Sequence, residues 1–186
     1  MKSKFALRKK CLEKREIFFK KKGSECLKFK DIKAIILEIK SKIKISSIGI
    51  YYPIKSEISS LKLIEICKNL SIIICLPVIC KNTNELIFSK FDNEMNITKN
   101  EYGIIEPNKI SQIIPDIIFV PMVGFDKTLN RLGYGKGYYD RTISKLRKLK
   151  KIFVIGLAYD NQMVRYIPAE NHDEKMDIIL TDKKIY

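Results

Sequence analysis

The stretch DIIFVPMVGFDKTLNRLGYGKGYYDRTISKLRKLK, residues 116 to 150, changes its periodicity twice and so decides the fold. Residues 116 to 120 are nearly all apolar, which reads as a buried strand, and from Tyr138 to Lys148 the residues Tyr139, Ile143 and Leu146 fall at helical spacing. Between them stand Gly133, Gly135 and Gly137 at alternate positions, preceded by Arg131 and interleaved with Lys136. Glycine reaches backbone angles closed to other residues and lets main-chain N–H groups come close to a ligand, while the two cations supply charge. A helix that starts beside such a loop points its N-terminus, with its partial positive charge, at whatever the loop holds. This chemistry suits phosphate. The spacing matches neither GxxxxGK[ST] nor GxGxxG, so neither of those readings transfers. Taken alone, the glycines are also compatible with a structural turn.

On the N-terminal side the spacing predicts helices over about 2 to 20 and 25 to 42, parted by Gly23, which stops the first, and Ser24, which can cap the second. Strands are expected over 45 to 52, over 71 to 80 with an interruption at Pro77, and over 85 to 90. A helix is expected over 56 to 70, carried by Ile58, Leu61, Ile64 and Ile66. After the glycine loop and its helix come strands at 151 to 158 and around 177 to 181. Strands alternating with helices imply a mostly parallel sheet covered on both faces. Ligands of such sheets sit beyond the carboxyl ends of the strands, where the glycine loop lies. The expected class is therefore α/β: three layers, α/β/α, with a mostly parallel, Rossmann-like sheet and an N-terminal helical segment, in a single domain over 1 to 186.

The composition narrows the classes further. At 186 residues and 46% hydrophobic content the chain can bury one sizeable core. No apolar run approaches the roughly 20 residues of a membrane span, and MKSKFALRKKCLEKRE lacks the uncharged core of a signal peptide, so a cytoplasmic protein with no membrane partner is expected. Five cysteines, at 11, 26, 67, 75 and 80, and a single histidine argue against structural zinc and a disulfide framework and for incidental thiols. The formal charge of +15 is unevenly spread: residues 1 to 44 carry 16 Lys or Arg against 5 Asp or Glu. Lysine far outnumbers arginine, without the arginine and aromatic interleaving of a nucleic-acid surface, so nucleic acid is not expected as the principal partner. A basic face can still draw in an anionic ligand.

Several segments together resemble the 5-formyltetrahydrofolate cyclo-ligase family, also called 5,10-methenyltetrahydrofolate synthetase. They are KFALR at 4 to 8, YGIIEP at 102 to 107, VPMVGFD at 120 to 126, RLGYGKGYYDR at 131 to 141, GLAYDNQ at 156 to 162 and IPAENHDEKMD at 167 to 177. They span nearly the whole chain in the family's order. The resemblance implies an ATP- and Mg2+-dependent ligase that converts 5-formyltetrahydrofolate, in free or polyglutamylated form, to 5,10-methenyltetrahydrofolate with release of ADP and phosphate. A formyl oxygen is a poor leaving group; phosphorylating it lets N10 close the ring. Such a transfer asks the protein for positioning and charge neutralisation, with no nucleophilic side chain.

The resemblance also assigns residues. ATP falls to Lys4, Arg8, Arg131, Leu132, Gly133, Tyr134, Gly135, Lys136, Gly137, Tyr138 and Tyr139, with Lys136 and Arg131 as the catalytic cations. Lys4 and Arg8, four apart, share one face of the first helix; without the family they read as a solvated basic face. Magnesium falls to Asp140 and Asp173, hard oxygen donors of the kind a nucleotide-bound Mg2+ requires. Asp140 alone would be read as an acid at a helix start. The folate falls to Tyr52, Glu57, Gly135, Lys136, Gly137 and Tyr138, where a carboxylate such as Glu57 suits the pterin's adjacent ring N–H and amino donors. His172 is read as orienting its turn, and Asp177 as structural. Two departures stand out. There is no tryptophan, where relatives often place one near the pteridine, leaving Phe91 or Tyr102 to substitute; and position 134, an arginine in some relatives, is tyrosine here. A monomer is expected. A basic nucleic-acid-associated protein and a folate binder without turnover are the competing readings.

Overall fold

The computed structural model describes residues 3–24, 29–92, 97–101 and 103–186. In chain order they form α1 (Lys4–Lys22), α2 (Phe29–Lys42), β1 (Ser47–Gly49), α3 (Leu63–Asn69), β2 (Ile73–Cys80), β3 (Glu85–Lys90), β4 (Ile97–Lys99) and β5 (Ile105–Pro107). There follow β6 (Ile117–Pro121), β7 (Gly124–Phe125), β8 (Arg131–Leu132), α4 (Tyr138–Leu149), β9 (Phe153–Ala158), a 3-10 turn (Asp160–Gln162) and β10 (Ile178–Thr181). Six strands make the central sheet in the order β10-β9-β6-β1-β2-β3. All neighbours in it are parallel except β2 and β3, which pair antiparallel from Cys75 opposite Lys90 to Cys80 opposite Glu85.

The side-chain alternation of the central strands builds the three layers. Ile117 and Phe119 of β6, with Ile155 and Leu157 of β9, join Ile32 and Ile36 of α2 and Leu63 and Cys67 of α3 in one core cluster. Ile118, Val120 and Val154 point the other way, onto Ile143 and Leu146 of α4. The central strands are buried on both faces, so they are continuously apolar rather than alternating, as a covered parallel sheet requires. Among the described residues, no helix is long and apolar enough to cross a membrane.

The α/β class and the strand–loop–helix order match the sequence-based expectation, with local differences. The helix expected over 56 to 70 shortens to Leu63–Asn69. Ser56, Ser59 and Ser60 are buried, and side-chain to backbone bonds hold 51 to 60 as a folded loop: Ser60 Oγ donates to the Tyr51 carbonyl, and Tyr51 Oη donates to the Ile58 carbonyl at 2.6 Å. Such bonds compete with helix and favour turns. Pro77 does not interrupt β2. The Cys75 carbonyl accepts from Ile50, and alternation puts the Pro77 nitrogen on that same edge, just past the end of β1, where no ladder bond is lost. The start of the second helix expected from residue 25, and Cys26, lie outside the described residues. Cys11, Cys67, Cys75 and Cys80 are free thiols.

At the start of β6, Asp116 ties three segments together. Its carboxylate accepts from the amides of Ser46 (2.8 Å) and Ser47 (2.9 Å) and pairs with Lys150 at 2.5 Å. Burial works to raise this carboxyl, but Lys150 and the two amides outweigh it and hold it down to about 2.

The strand order reverses between β1 and β6. From β1 the chain runs outward to β2 and β3, and from β6 to β9 and β10 on the other side. The crevice beyond the carboxyl ends of β1 and β6 is therefore the place where the fold leaves room for a ligand.

Candidate functional site

A cavity of about 560 Å³ opens at that crevice. Its lining includes Tyr51 and Tyr52 after β1, Pro121 ending β6, Pro77 and Ile79 of β2, and the whole loop from Arg131 to Asp140. The residues nominated from sequence are brought together here: Lys4, Arg8, Tyr52, Glu57, Arg131 to Tyr139, Asp140 and Asp173 all line it.

The three glycines serve different ends. Gly137 is the N-cap of α4 at φ 70°, ψ 12°, a left-handed conformation that lets the loop turn directly into the helix. Arg141 braces this turn, its Nη2 donating to the Lys136 carbonyl at 2.6 Å and its Nε to the Asn84 carbonyl at 2.8 Å. Gly135, at φ 100°, packs on the Arg8 guanidinium: a Cβ there would sit 3.3 Å from Arg8 Cζ. Gly133 has no positive φ and is needed for space, since a Cβ would meet Arg131 Nη1 at 2.8 Å. From α1, Arg8 Nε donates to the Gly133 carbonyl at 3.0 Å, so the N-terminal helix is tied to the loop.

Arg131 and Asp140 form a buried pair, Nη2 to Oδ2 2.8 Å, with side chains only 5% and 12% exposed. The guanidinium also lies 5.5 Å from the Tyr139 ring centroid, and its Nε is buried without a hydrogen-bond partner among the described residues. Burial pushes the Tyr139 hydroxyl well above the usual phenol range. Of the two tyrosines that open α4, Tyr139 packs against the core on the α4 side of the sheet.

At one corner of the cavity Lys4 Nζ lies 2.6 Å from Asp173 Oδ2 and 3.2 Å from Glu170 Oε1, and His172 Nε2 is 3.2 Å from Glu170 Oε2. Burial works against both charged forms of the Lys4–Asp173 pair. Their mutual bond, with Glu170 contributing to each, prevails and leaves Lys4 raised and Asp173 lowered. The donor atoms of Glu170, His172 and Asp173 lie within 4.8 Å of one another, close enough to share one cation. Asp140 is outside that group, its Oδ2 on Arg131, although the amide of Glu174 comes to 3.4 Å from its Oδ1. Carboxylate oxygens beside a cavity fit a hard divalent ion, and Lys4 holds a positive charge against them. His172 is exposed and touches Glu170, which suits the turn-orienting reading.

At the other end Glu57 is 4% exposed, its Oε2 accepting from the Ile54 amide at 3.0 Å. Burial pushes its carboxyl up, opposed by the Ile54 amide, by nearby Arg15 and by a bond from Tyr134. Tyr52 is half-buried beside it. Phe91 is not the aromatic that stands in for tryptophan at the cavity: it is 7% exposed within the core cluster, because β3 ends by turning it inward. Tyr102 lies outside the described residues. The aromatic walls are tyrosines 51, 52, 134, 138 and 139. Asp177 accepts from the Val154 amide at 2.6 Å and from Arg147, a structural tie between β9 and β10.

Two residues were not anticipated. Glu170 sits in the same IPAENHDEKMD segment as Asp173 but carries no distinguishing sequence signal among exposed acids. Arg15 of α1 is 1% exposed and was indistinguishable from the surrounding lysines and arginines. With Lys4, Arg8 and Cys11 it makes a stripe at positions i, i+4, i+7 and i+11, a spacing that keeps all four on one helix face.

Residues 1–182 match the model of the 5-formyltetrahydrofolate cyclo-ligase family. The 5-formyltetrahydrofolate cyclo-ligase of Mycoplasma pneumoniae is 34% identical over 179 residues, 96% of this chain and 98% of its own length. That of Haemophilus influenzae is 35% identical over 140 residues, 72% of this chain and 74% of its own. Among solved structures, a 5,10-methenyltetrahydrofolate synthetase from Mycoplasma pneumoniae superposes with a TM-score of 0.70 at 31% identity, covering 98% of this chain and all of that one (100%). The corresponding synthetase of Aquifex aeolicus superposes with a TM-score of 0.72 at 28% identity, covering 98% and 91%.

Proposed function

The chain belongs to the 5-formyltetrahydrofolate cyclo-ligase family, and on that premise we propose that it converts 5-formyltetrahydrofolate to 5,10-methenyltetrahydrofolate with ATP and Mg2+, releasing ADP and phosphate. The observation that carries this reading is that one cavity joins a glycine loop, a carboxylate corner and a buried carboxylate on the other side. Those are the parts needed for a polyphosphate, its metal and a pterin.

In this reading the backbone of Gly133 to Gly137 and the N-terminus of α4 face the nucleotide phosphates, with Lys136, Arg8 and Lys4 adding charge. Arg131 stays fixed by Asp140 and contributes a rigid positive field at the loop's entrance. Asp173 and Asp140, with Glu170 next to Asp173, would hold Mg2+, which would neutralise phosphate charge. Glu57 accepts from the pterin's ring N–H and amino group, and Tyr52 lies against the same ligand. For transfer, the N5-formyl oxygen would lie in line with the γ-phosphoryl group. Transfer of that group from ATP to the formyl oxygen releases ADP and makes phosphate the leaving group. N10 then attacks the formyl carbon, its proton is lost, and the C–O bond breaks to phosphate. No side chain is consumed, so the chain's task is alignment and charge neutralisation.

The test is absorbance of the methenyl chromophore when the purified protein is mixed with 5-formyltetrahydrofolate, Mg2+ and ATP, against controls lacking each. ATP- and Mg2+-dependent appearance of the chromophore is expected. Folate binding without product would replace this reading with a non-catalytic relative, and absence of both would return the basic N-terminal segment to the nucleic-acid reading.

A further inference from the structure

Arg15 is a buried charged group beside this site that the proposed chemistry does not use. It is 1% exposed, and its guanidinium donates to Ser56 Oγ (Nε, 3.2 Å), to the Met122 carbonyl (Nη1, 3.2 Å) and to Tyr134 Oη (Nη2, 2.6 Å). Among the described residues no carboxylate lies within ion-pair distance of it. A guanidinium so completely removed from water is costly unless an opposite charge is near. The nearby opposite charge is Glu57, and the phenol of Tyr134 adjoins both: its oxygen accepts from Arg15, and its hydroxyl lies where it can donate to the Glu57 carboxylate. The guanidinium carbon also lies 5.5 Å from the Tyr134 ring centroid, so one cation touches both the hydroxyl and the ring. Arg15, Tyr134 and Glu57 come from α1, the glycine loop and the segment after β1, three elements brought together at this side of the cavity.

We propose that Arg15 is a positioning residue that acts through the Tyr134 hydroxyl to keep the Glu57 carboxylate ionised and aimed at the folate. It thereby sets the affinity for the pterin rather than for the nucleotide. The proposal rests on the reading of Glu57 as the folate-accepting carboxylate. It also gives Tyr134 a role that the other glycine-loop residues lack: its hydroxyl is turned inward while its ring stays partly exposed in the cavity. The charged and titratable groups around Glu57 are Arg15 of α1, Tyr134 of the loop, Tyr139 of α4, and Tyr51 and Lys55 of its own segment. Of these, Arg15 and the Tyr134 proton favour the carboxylate, and Lys55 is exposed. Without the relay, burial is less opposed and Glu57 takes up a proton at a higher pH.

The experiment is steady-state kinetics of the full chain from acidic to neutral pH, with thermal unfolding alongside, for wild type, Tyr134→Phe, Arg15→Lys, Arg15→Met and Glu57→Gln. Tyr134→Phe keeps the ring and removes the bridge, so KM for 5-formyltetrahydrofolate should rise about tenfold, the cost of one hydrogen bond to a charged group. KM for ATP should change much less. The acidic limb of the folate KM should shift to higher pH in Tyr134→Phe and Arg15→Met, and Arg15→Lys should restore part of the loss. If Glu57→Gln leaves the folate KM unchanged, the underlying reading of Glu57 fails. If Glu57→Gln raises it while Tyr134→Phe and Arg15→Met keep the wild-type KM and pH limb, only the relay is overturned. Equal losses for both substrates, with no pH shift, would make Arg15 merely structural. Should Arg15→Met not fold, Tyr134→Phe decides alone.

Discussion

Gly133→Ala tests the packing of the phosphate-facing loop most sharply, because the obstacle it meets is a single, immobilised group. The added methyl would lie 2.8 Å from Arg131 Nη1, well inside contact distance. An exposed arginine would swing away at little cost, but this one is held by Asp140 at 2.8 Å and by the Tyr139 ring, and its side chain is 5% exposed. Two responses are open. If the loop backbone yields, the penalty is that of overpacking, about 1–3 kcal/mol. If instead the guanidinium is pushed off Asp140, a buried charge loses its partner, at about 3–5 kcal/mol. The expected destabilisation is therefore about 2–4 kcal/mol, which at roughly 2–4 °C per kcal/mol for a chain of this size lowers Tm by about 5–15 °C. Thermal and urea unfolding of Gly133→Ala should be measured in wild type and in Arg131→Met, whose flexible, uncharged side chain can move aside. The penalty should fall below about 1 kcal/mol in the second background, a coupling that only a direct contact produces. An equal penalty in both backgrounds would refute the reasoning and show that the backbone at Gly133, not Arg131, excludes the methyl.

Asp116→Asn should destabilise the fold near neutral pH by about 2 kcal/mol, the linkage energy of a carboxyl held at about 2 against 3.8 when unfolded. The folded value is the depressed one, so this stability is present above pH 3.8 and is lost as pH falls toward 2; unfolding curves of the two proteins should converge over that window. Lys136→Ala should raise KM for ATP, lower kcat, or both, with Tm unchanged within a degree or so, since the side chain is exposed. Unaltered kinetics would remove it from the phosphate loop. Asp173→Asn should raise the Mg2+ concentration needed for half-maximal turnover while the protein stays folded, and an unshifted Mg2+ titration would exclude it as a ligand.

The strand at 117 to 121, the glycine loop and α4 were legible because each rests on local chemistry. A doubly covered strand is continuously apolar, and Tyr139, Ile143 and Leu146 repeat at helical period. The failures come where distant residues decide. Ile58 and Leu61 carry a helix-like spacing, yet the serines around them satisfy backbone groups of Tyr51 and its neighbours and keep 56 to 62 out of the helix. Nothing local tells Arg15 from Lys14; only the carbonyl of Met122 and the hydroxyls of Ser56 and Tyr134, all remote in sequence, distinguish the buried cation from the solvated one. Phe91 resembles a cavity aromatic until the sheet turns it into the core. The carboxylates at 140 and 173 could be nominated through the family motifs. That Glu170 and His172 crowd the second, and Arg131 pins the first, is decided only by how the chain folds.

The stripe of Lys4, Arg8 and Arg15 puts three cations on one rigid rod. The first reaches the carboxylate corner, the second the glycine loop and the third the bridge to Glu57. That rod rests on the β7–β8 hairpin and the turn at Asp160–Gln162, outside the six-stranded sheet. A small rotation of α1 about its axis would therefore move all three anchors in concert, as on a camshaft. Wear at any bearing point, such as a bulky residue at Cys11 where the helix meets Gly124, should be felt by nucleotide and folate together, though it touches neither.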